Sequence, residues 1–400
     1  MQTVNNFLIK DKNVALRVDL NVPTSKNGKV TDDKKILDIK LTLDKLRSNN
    51  NKIFLISHFG RPNGKFNKKY SLEFLKDILA KKLLINKIFF VNSCENQMID
   101  QQKKIMKKGD VCLLENIRFY QDEEKNDLNF SKKFAKNFDI YVNEAFSASH
   151  RKHSSIVGIT KYLPSLAGIN LINEIENLNN LILNPKKPST IIIGGSKIST
   201  KLKLLKNIIE VFDNIVIGGA MANTFLLSQG LKLGKSLVEN NLIGEASNIL
   251  EKSKNYNTNV ILPIDLVCSN NLEDKKNIKI VDIKNVLPNQ IALDIGDKSI
   301  NLIKSVILKS NMVLWNGPLG AYEHEPFDHA TNEIAKIIKI DATKLKIPSF
   351  AGGGDTIAAI KKAKAEKYFT YISTAGGAFL EWLEGKESPG VIALRENNFF

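Results

Sequence analysis

The stretch IPSFAGGGDTIAAIKKAK, residues 347–364, decides the fold. A short apolar run at 347–350 reads as a buried strand. Three consecutive glycines follow it at Gly352, Gly353 and Gly354, then Asp355 and Thr356, and TIAAIKKAK carries helical spacing. Strand, glycine turn and helix in that order form the phosphate-binding unit of doubly wound α/β folds. Glycine lets backbone N–H groups approach a ligand, and the helix start adds roughly half a positive charge. Asp355 is suited to hold a magnesium ion carried by phosphates. Thr356 is suited to bond a phosphate oxygen or to cap the helix.

Reading outward, the same alternation runs through the chain. In the first half, strands are expected at 13–18, 52–57, 87–91, 110–114 and 139–142. In the second they are expected at 190–193, 214–217, 259–262, 312–315, 347–350 and 369–373. Helical periodicity fills many intervals, as in DDKKILDIKLTLDKLRS and SLEFLKDILAKKL. Short buried strands separated by helices predict parallel sheets covered on both faces, twice over, because 400 residues exceed what one core ordinarily serves. Ligands in such folds bind beyond the carboxyl ends of the strands.

The two halves differ at those ends. First-half strands run into polar and charged groups: Asp19 and Asn21, His58 and Arg61, Glu115, Asn116 and Arg118, then Asn143, Glu144, His150 and Arg151. Second-half strands run into Gly194-Gly195 with Ser196 and Lys197, Gly218-Gly219, Gly317 and Gly320, Gly352 to Gly354, and Gly376-Gly377. The first edge is that of a small-anion site and the second that of a nucleotide site. Lys197 and Lys201, four apart, are expected on one helix face beside the glycines. GLKLGKS (230–236) mimics a P-loop, but only three residues separate Gly230 from Gly234 and a helix-like segment precedes it, so it is set aside.

Composition narrows the function class. The net charge of +16 raises nucleic-acid binding, yet the lysines of KKLLINK (81–87) and KKAKAEK (361–367) fall at helical intervals, as on a solvated face. No recognition-helix, RNP or zinc-finger pattern accompanies them. Only Arg17, Arg47, Arg61, Arg118, Arg151 and Arg395 are arginine among 58 basic residues. Five of the six lie in the first 151 residues, where the planar fork suits a carboxylate or phosphate. Cys94, Cys112 and Cys268 form no CxxC pair and read as buried reduced thiols. There is no uninterrupted apolar run of about eighteen residues and no signal-like beginning, so a cytoplasmic protein without a membrane partner is expected.

The motifs RVDLNVP (17–23), SHFGRP (57–62), LLENIRFY (113–120), YVNEAFSASHRKHSS (141–155), GGSKIST (194–200), LWNGPLGAYE (314–323), GGGDT (352–356) and STAGGAFLEWLEGK (373–386) together resemble phosphoglycerate kinases, in order and spacing. The resemblance implies two Rossmann-like domains: residues 1–165 for 3-phosphoglycerate and 185–384 for MgATP or MgADP. They would be joined by a long helix over 166–184, with a tail, 385–400, returning to the first domain. It places Asp19, Asn21, Lys35, His58, Arg61, Arg118 and Arg151 around 3-phosphoglycerate or 1,3-bisphosphoglycerate. Gly195, Ser196, Lys197, Lys201, Gly219, Asn316, Glu323, Gly354, Asp355, Thr356, Gly376 and Gly377 fall at nucleotide positions, with Glu323 on the ribose and Asp355 on Mg²⁺. Lys35, Lys197, Lys201, Gly354 and Gly377 would stabilise the transferring phosphoryl group.

Three positions depart from the family pattern. Where the family carries an arginine after the RVDLNVP loop, this chain has Lys35, with Lys34 as neighbouring alternative; lysine keeps the charge and loses the fork. Ala220 and Ala375 each replace a glycine hydrogen by one methyl. The resemblance implies a monomer that transfers a phosphoryl group directly, with no covalent enzyme intermediate, after closure that excludes water. A family member that binds ligands but turns over poorly, and a basic nucleic-acid-binding protein, are the alternative readings.

Overall fold

A computed structural model describes residues 1–400 except Lys26, Thr374 and Phe400, so one residue of the STAGG loop and the last of the tail lie outside the described residues. The chain divides into two units, Met1–Glu176 with Glu387–Phe400, and Asn177–Lys386.

The first unit is built on six strands: β1 (Asn13–Arg17), β2 (Lys52–Ile56), β3 (Ile88–Val91), β4 (Val111–Leu114), β5 (Ile140–Asn143) and β6 (Ser165–Ala167). They form one parallel sheet in the order β3-β4-β2-β1-β5-β6. Near-continuous apolar runs such as NVALR and KIFLI fit strands buried on both faces. Ile36, Ile39, Leu43 and Leu46 recur at helical spacing across the helices Lys34–Asp38 and Lys40–Ser48. Their side chains join Val14, Leu16, Ile53 and Leu55 in one core. Each such fully buried aliphatic side chain contributes about 1.5–3 kcal/mol. The tail packs here too: Asn397 Nδ2 donates to the carbonyls of Thr160 and Leu163, at 2.7 and 3.0 Å, and Gly390 N–H to Ser149 O.

β6 lies where the sequence predicted the start of the long helix. Ser165–Ala167 pairs with Tyr141–Asn143 at the sheet edge, so the helix begins only at Ile169 and runs to Leu183. Its first turn is held by Glu144, whose Oε1 accepts from Asn170 N–H at 3.1 Å and from Thr42 Oγ1 at 2.6 Å.

The second unit carries β7 (Ser189–Ile193), β8 (Asn214–Ile217), β9 (Asn259–Ile261), β10 (Asp265–Ser269), β11 (Lys279–Asp282), β12 (Ile291–Ile295), β13 (Met312–Asn316), β14 (Ser349–Gly352) and β15 (Tyr371–Ser373). Six of them form a parallel sheet in the order β15-β14-β13-β7-β8-β9, and β11-β10-β12 form a small antiparallel sheet. Chain order reverses direction between β7 and β13, which makes that boundary a topological switch point. Trp315 on β13 is fully buried, stacks on Phe369, and donates its indole N–H to Gly317 O at 2.8 Å. Strand ends here differ by at most two residues from the sequence reading, with 214–217 in agreement, and the sequence reading does not contain the small sheet. Among the described residues no helix is long and apolar enough to cross a membrane. The three cysteines are buried and free, and burial raises their thiols, Cys112 to about 12 and Cys268 to about 11.

Candidate active site

In the first unit the loops after β1 and β2 are tied into one surface. Asp19 Oδ1 accepts from Asn21 N–H at 2.9 Å, and Asn21 Oδ1 accepts from Gly60 N–H at 3.0 Å. Gly60 O in turn accepts from Arg118 Nη1 at 3.0 Å. Lys35 Nζ sits 2.6 Å from Asp19 Oδ2 and donates to Asn21 O at 3.2 Å, and Ser147 Oγ donates to the same Asp19 oxygen. Asp19, Asn21, Lys35 and Arg118 are thus one hydrogen-bonded set, and His58 lies against it with only 7% of its surface exposed.

Burial works against an ionised Asp19, but the adjacent Lys35 charge and the hydrogen bonds from Lys35 and Ser147 hold its carboxyl below the ordinary range. Burial pushes His58 well below the usual imidazole range. Asp19 opposes this, while Arg17, Arg118 and Lys35 add to it. The Arg118 guanidinium is lowered to about 10 by burial and by the charges of Arg151 and Arg17. Arg151 is half-buried, with Nε 3.1 Å from His150 Nε2. Arg61 is exposed, and among the described residues no hydrogen bond or ion pair joins it to the set. The cluster offers cations and neutral donors around one accepting carboxylate, the complement of a small, doubly anionic ligand.

In the second unit the organising group is Lys201. Its Nζ donates to Gly194 O at 2.6 Å, Asn316 O at 3.0 Å and Asn316 Oδ1 at 2.6 Å, across the β7/β13 switch point. Burial lowers this ammonium to about 8, against the raising effect of Asp355. Asn316, 2% exposed, continues the brace with Nδ2 donating to Gly352 O at 2.7 Å. Thr356 is fully buried, and its Oγ1 accepts from Gly317 N–H at 2.7 Å. It therefore ties two loops together, and it does not cap the helix Gly354–Lys362, whose N-cap is Gly353.

The expectation that Lys197 and Lys201 share a helix face is corrected. The helix starts at Leu202, with Lys201 as its N-cap. Ser199, through N–H and Oγ, bonds Glu239, and Thr200 Oγ1 bonds Lys197 O, so 196–200 is a bent loop. Lys197 and Ser196 are exposed on it.

Among the described residues three helices at this strand edge begin directly behind a glycine, at Ala220, Gly354 and Gly377, behind Gly219, Gly353 and Gly376. Gly219 has φ of 67°, and a Cβ there would strike the Gly195 backbone, so glycine is required for the two loops to meet. Beside them opens a cavity of about 770 Å³ walled by apolar groups such as Leu237, Leu266, Leu293 and Leu319, with Gly195, Gly219, Glu323 and Asp355 also on its lining. That volume and apolar lining suit a drug-sized ligand such as a nucleoside. Tyr322 on the same wall has its hydroxyl 3.4 Å from Asp355 Oδ1.

Among the described residues no group of three or more His, Cys, Asp or Glu side chains is placed to hold a metal by itself. The exposed carboxylate of Asp355 at this edge is the kind of group that fits magnesium delivered on phosphates, since Mg²⁺ takes one or two protein carboxylates and fills its shell with phosphate and water.

The phosphoglycerate kinase family model matches residues 4–386. The chain belongs to the phosphoglycerate kinase family. Phosphoglycerate kinases of a Chelativorans species and of Mesorhizobium japonicum are 43% and 44% identical over 388 and 387 residues, each alignment covering 97% of both chains. The solved phosphoglycerate kinase of Coxiella burnetii superposes with a TM-score of 0.89 at 36% identity, covering 98% of each chain. That of Pyrococcus horikoshii gives 0.81 at 29% identity, covering 99% of this chain and 98% of the other. The two six-stranded parallel sheets are thus those of the phosphoglycerate kinase fold.

Sequence reading passed over two residues. Arg17 is one of the six arginines and opens the RVDLNVP motif; the sequence reading gives it no role in the site, yet it is fully buried against His58. Its signal was a charged residue inside an otherwise apolar strand. Ser147, one loop further on, shares Asp19 with Lys35 and carried no signal of its own.

Proposed function

We infer that this chain is a phosphotransferase that moves a phosphoryl group reversibly between the acyl phosphate of 1,3-bisphosphoglycerate and ADP, giving 3-phosphoglycerate and ATP. The observation that carries the reading is the Lys201 brace: a partly buried cation pinned where the parallel sheet reverses direction, with three glycine-led helix starts at the same edge. Phosphate is the ligand whose charge such an edge stabilises.

Arg61, Arg118 and Arg151 receive the substrate's phosphate. Asn21 and His58 orient its hydroxyl and carboxylate end, and Asp19 holds Lys35 beside it. The nucleotide's phosphates lie along the backbone of Gly195, Gly219, Gly354, Gly376 and Gly377, with Ser196, Lys197 and Thr356 as side-chain donors and Lys201, whose three N–H bonds are spent on the brace, contributing its charge. Asn316 fixes Lys201, and Glu323 accepts from the ribose. Asp355 would hold Mg²⁺, which when bound neutralises phosphate charge.

In the ATP-forming direction a terminal oxygen of ADP attacks the acyl phosphorus, and the bond from phosphorus to the carboxylate oxygen breaks. In reverse the carboxylate attacks the terminal phosphorus of ATP. Both nucleophiles are already anions at neutral pH, so no proton has to be removed and no general base is needed. What remains for the protein is alignment and stabilisation of charge on the three equatorial oxygens, to which Lys35, Lys197, Lys201 and the helix starts at Gly354 and Gly377 contribute. The work is that of one chain in the cytoplasm, without a nucleic-acid or membrane partner.

A coupled assay of purified chain with Mg²⁺-ATP and 3-phosphoglycerate tests the reading. ADP formation that requires 3-phosphoglycerate is expected. Binding of both ligands without turnover would leave a binding protein of this fold.

A further inference from the structure

The side chain of Arg17 projects from the last residue of β1 and is completely buried. An unaccompanied guanidinium in that position would be costly, and this one is clamped from several sides. Nε donates to Ser155 Oγ at 2.9 Å, and Nη1 donates to Val18 O and, at 3.5 Å, to Ile56 O. Ser155 is itself held by Glu123, Oγ to Oε1 at 2.6 Å and N–H to Oε2 at 2.8 Å, while its carbonyl accepts from Tyr141 Oη at 2.8 Å. The remaining arm of the fork, Nη2, lies 3.2 Å from His58 Nδ1.

Guanidinium has donors only, so in this contact Nδ1 must be the acceptor. A lone pair on Nδ1 is incompatible with the imidazolium and with the Nδ1–H tautomer, and leaves the ring proton on Nε2. Among the described residues nothing hydrogen-bonds His58 Nε2.

We propose that Arg17 is a positioning residue that locks His58 in the neutral Nε2–H tautomer, so that the site presents a fixed N–H donor, and not a second cation, to a carboxylate or hydroxyl oxygen of the substrate. The proposal rests on His58 being a substrate contact, as inferred above, and it adds what that contact is made of. The groups facing the ring agree with a neutral state. Arg17, Arg118 and Lys35 disfavour a positive ring and burial does so more strongly, while Asp19 alone favours it. Selectivity follows too: a donor with no acceptor on its outward nitrogen rejects ligands that offer only N–H groups there.

The test reads the ring directly. With five histidines in the chain, long-range ¹H–¹⁵N spectra of the full-length labelled protein are assignable, His58 being identified by its absence in His58→Gln. From about pH 6 to 8 the His58 ring is expected neutral, protonated on Nε2 and bare on Nδ1. A wild-type ring protonated on Nδ1, or doubly protonated at pH 7, overturns the proposal whatever any variant does. Arg17→Met is expected to mix the tautomers, move the titration of His58 up towards the ordinary value of about 6.5, and raise KM for 3-phosphoglycerate about tenfold while kcat changes less than about threefold. Arg17→Lys, which keeps charge and donor, restores most of the KM. Should Arg17→Met not fold, Ser155→Ala loosens the clamp and is expected to shift the same signals in the same direction by less. Unchanged His58 signals in a folded Arg17→Met also overturn it. If the tautomer is found but 3-phosphoglycerate leaves the His58 signals unmoved, the lock stands and the assignment of His58 to the substrate falls.

Discussion

Lys35 Nζ and Asp19 Oδ2 are 2.6 Å apart, in an ion pair whose side chains are only 22% and 11% exposed. The pair pins a cation to the loop after β1 at the position where the family resemblance leads one to expect arginine. A compact ammonium held by Asp19 and Asn21 O can still reach one further oxygen, whereas a guanidinium could grip the carboxylate with two bonds and keep Asp19 with a third. Lys35→Met is expected to lower kcat by about 100-fold with KM for either substrate changed much less, because the charge acts on the transferring group. Lys35→Arg should stay within about tenfold of the natural chain. Steady-state kinetics on the three proteins decide it, and wild-type kcat in Lys35→Met would remove Lys35 from the chemistry.

The burial that lowers Lys201 to about 8 sets a pH limit on the nucleotide site. Below pH 8 the free enzyme carries the ammonium, and above it the charge is lost; a bound polyanion favours the charged form and pushes the value up again. Thus kcat/KM for the nucleotide should fall through about pH 8, while kcat holds to higher pH. Stability has the opposite slope: with a folded value below the unfolded one of about 10.4, the protein gains stability between about pH 8 and 10. Lys201→Met should abolish the alkaline limb of kcat/KM along with most activity. A profile with no inflection between about pH 7 and 9 in the natural chain would show that Lys201 is not the limiting cation.

Much of this site was legible in the sequence, for reasons that particular residues make plain. Runs such as TIII and NIVI are strands because β-branched side chains fill a sheet buried on both faces, and glycines at their ends declare close approach of backbone to ligand. The small antiparallel sheet was not legible. β11, KIVD, leaves most of its side chains exposed and carries no burial pattern, and β10, DLVCS, though buried throughout, follows the strand expected at 259–262 after only two residues. The sequence reading starts the long helix inside β6 because three residues, SLA, carry no period of their own; pairing with β5 makes them a strand. Arg17 and Lys197 mark the other limit. Spacing places a residue on an element, but whether a side chain is clamped inward or left in a bent loop depends on partners such as Ser155 and Glu239 that are far away in sequence.

Asp355 offers the carboxylate of the phosphate edge and is exposed to solvent at the start of its helix. Asp355→Asn keeps the shape and removes the charge. It is expected to weaken Mg²⁺-ADP binding roughly 10- to 100-fold while metal-free ADP binds as well as before or slightly better, because one like charge has left the site. Calorimetric titrations with and without Mg²⁺ separate the two. Equal losses for both forms of ADP would mean that Asp355 serves the loop and not the metal.

Gly219 and Gly195 touch backbone to backbone, and Gly219 sits at φ of 67°. Gly219→Ala asks an L-residue to enter that region and to place a methyl where Gly195 already stands. A loss of about 1–3 kcal/mol in stability is expected, read as a lowered denaturant midpoint. Nucleotide affinity should fall with it, while 3-phosphoglycerate binding is spared. An unshifted midpoint would show that the loop relaxes freely.

Glu144 gives the fold an acid-side preference that can be measured on its own. Its carboxyl is raised to about 8 by burial, despite hydrogen bonds from Thr42 and from the N–H groups of Asn170 and Leu171 at the start of the helix Ile169–Leu183. The unfolded chain releases this proton near pH 4.5, while the folded chain keeps it to about 8. Between these values the native state binds one proton more, so the group's contribution to stability is complete below the lower value, declines across the window and is flat above the upper one. Glu144→Gln keeps the acceptor for Thr42 and cannot ionise. Subtracting its stability profile from that of the natural chain should leave a curve that falls from about pH 5 to 8, and urea titrations at intervals across that range measure it. A difference curve that is flat would place the native carboxyl near its ordinary value, with the helix start paying the cost of a buried anion by its N–H groups alone.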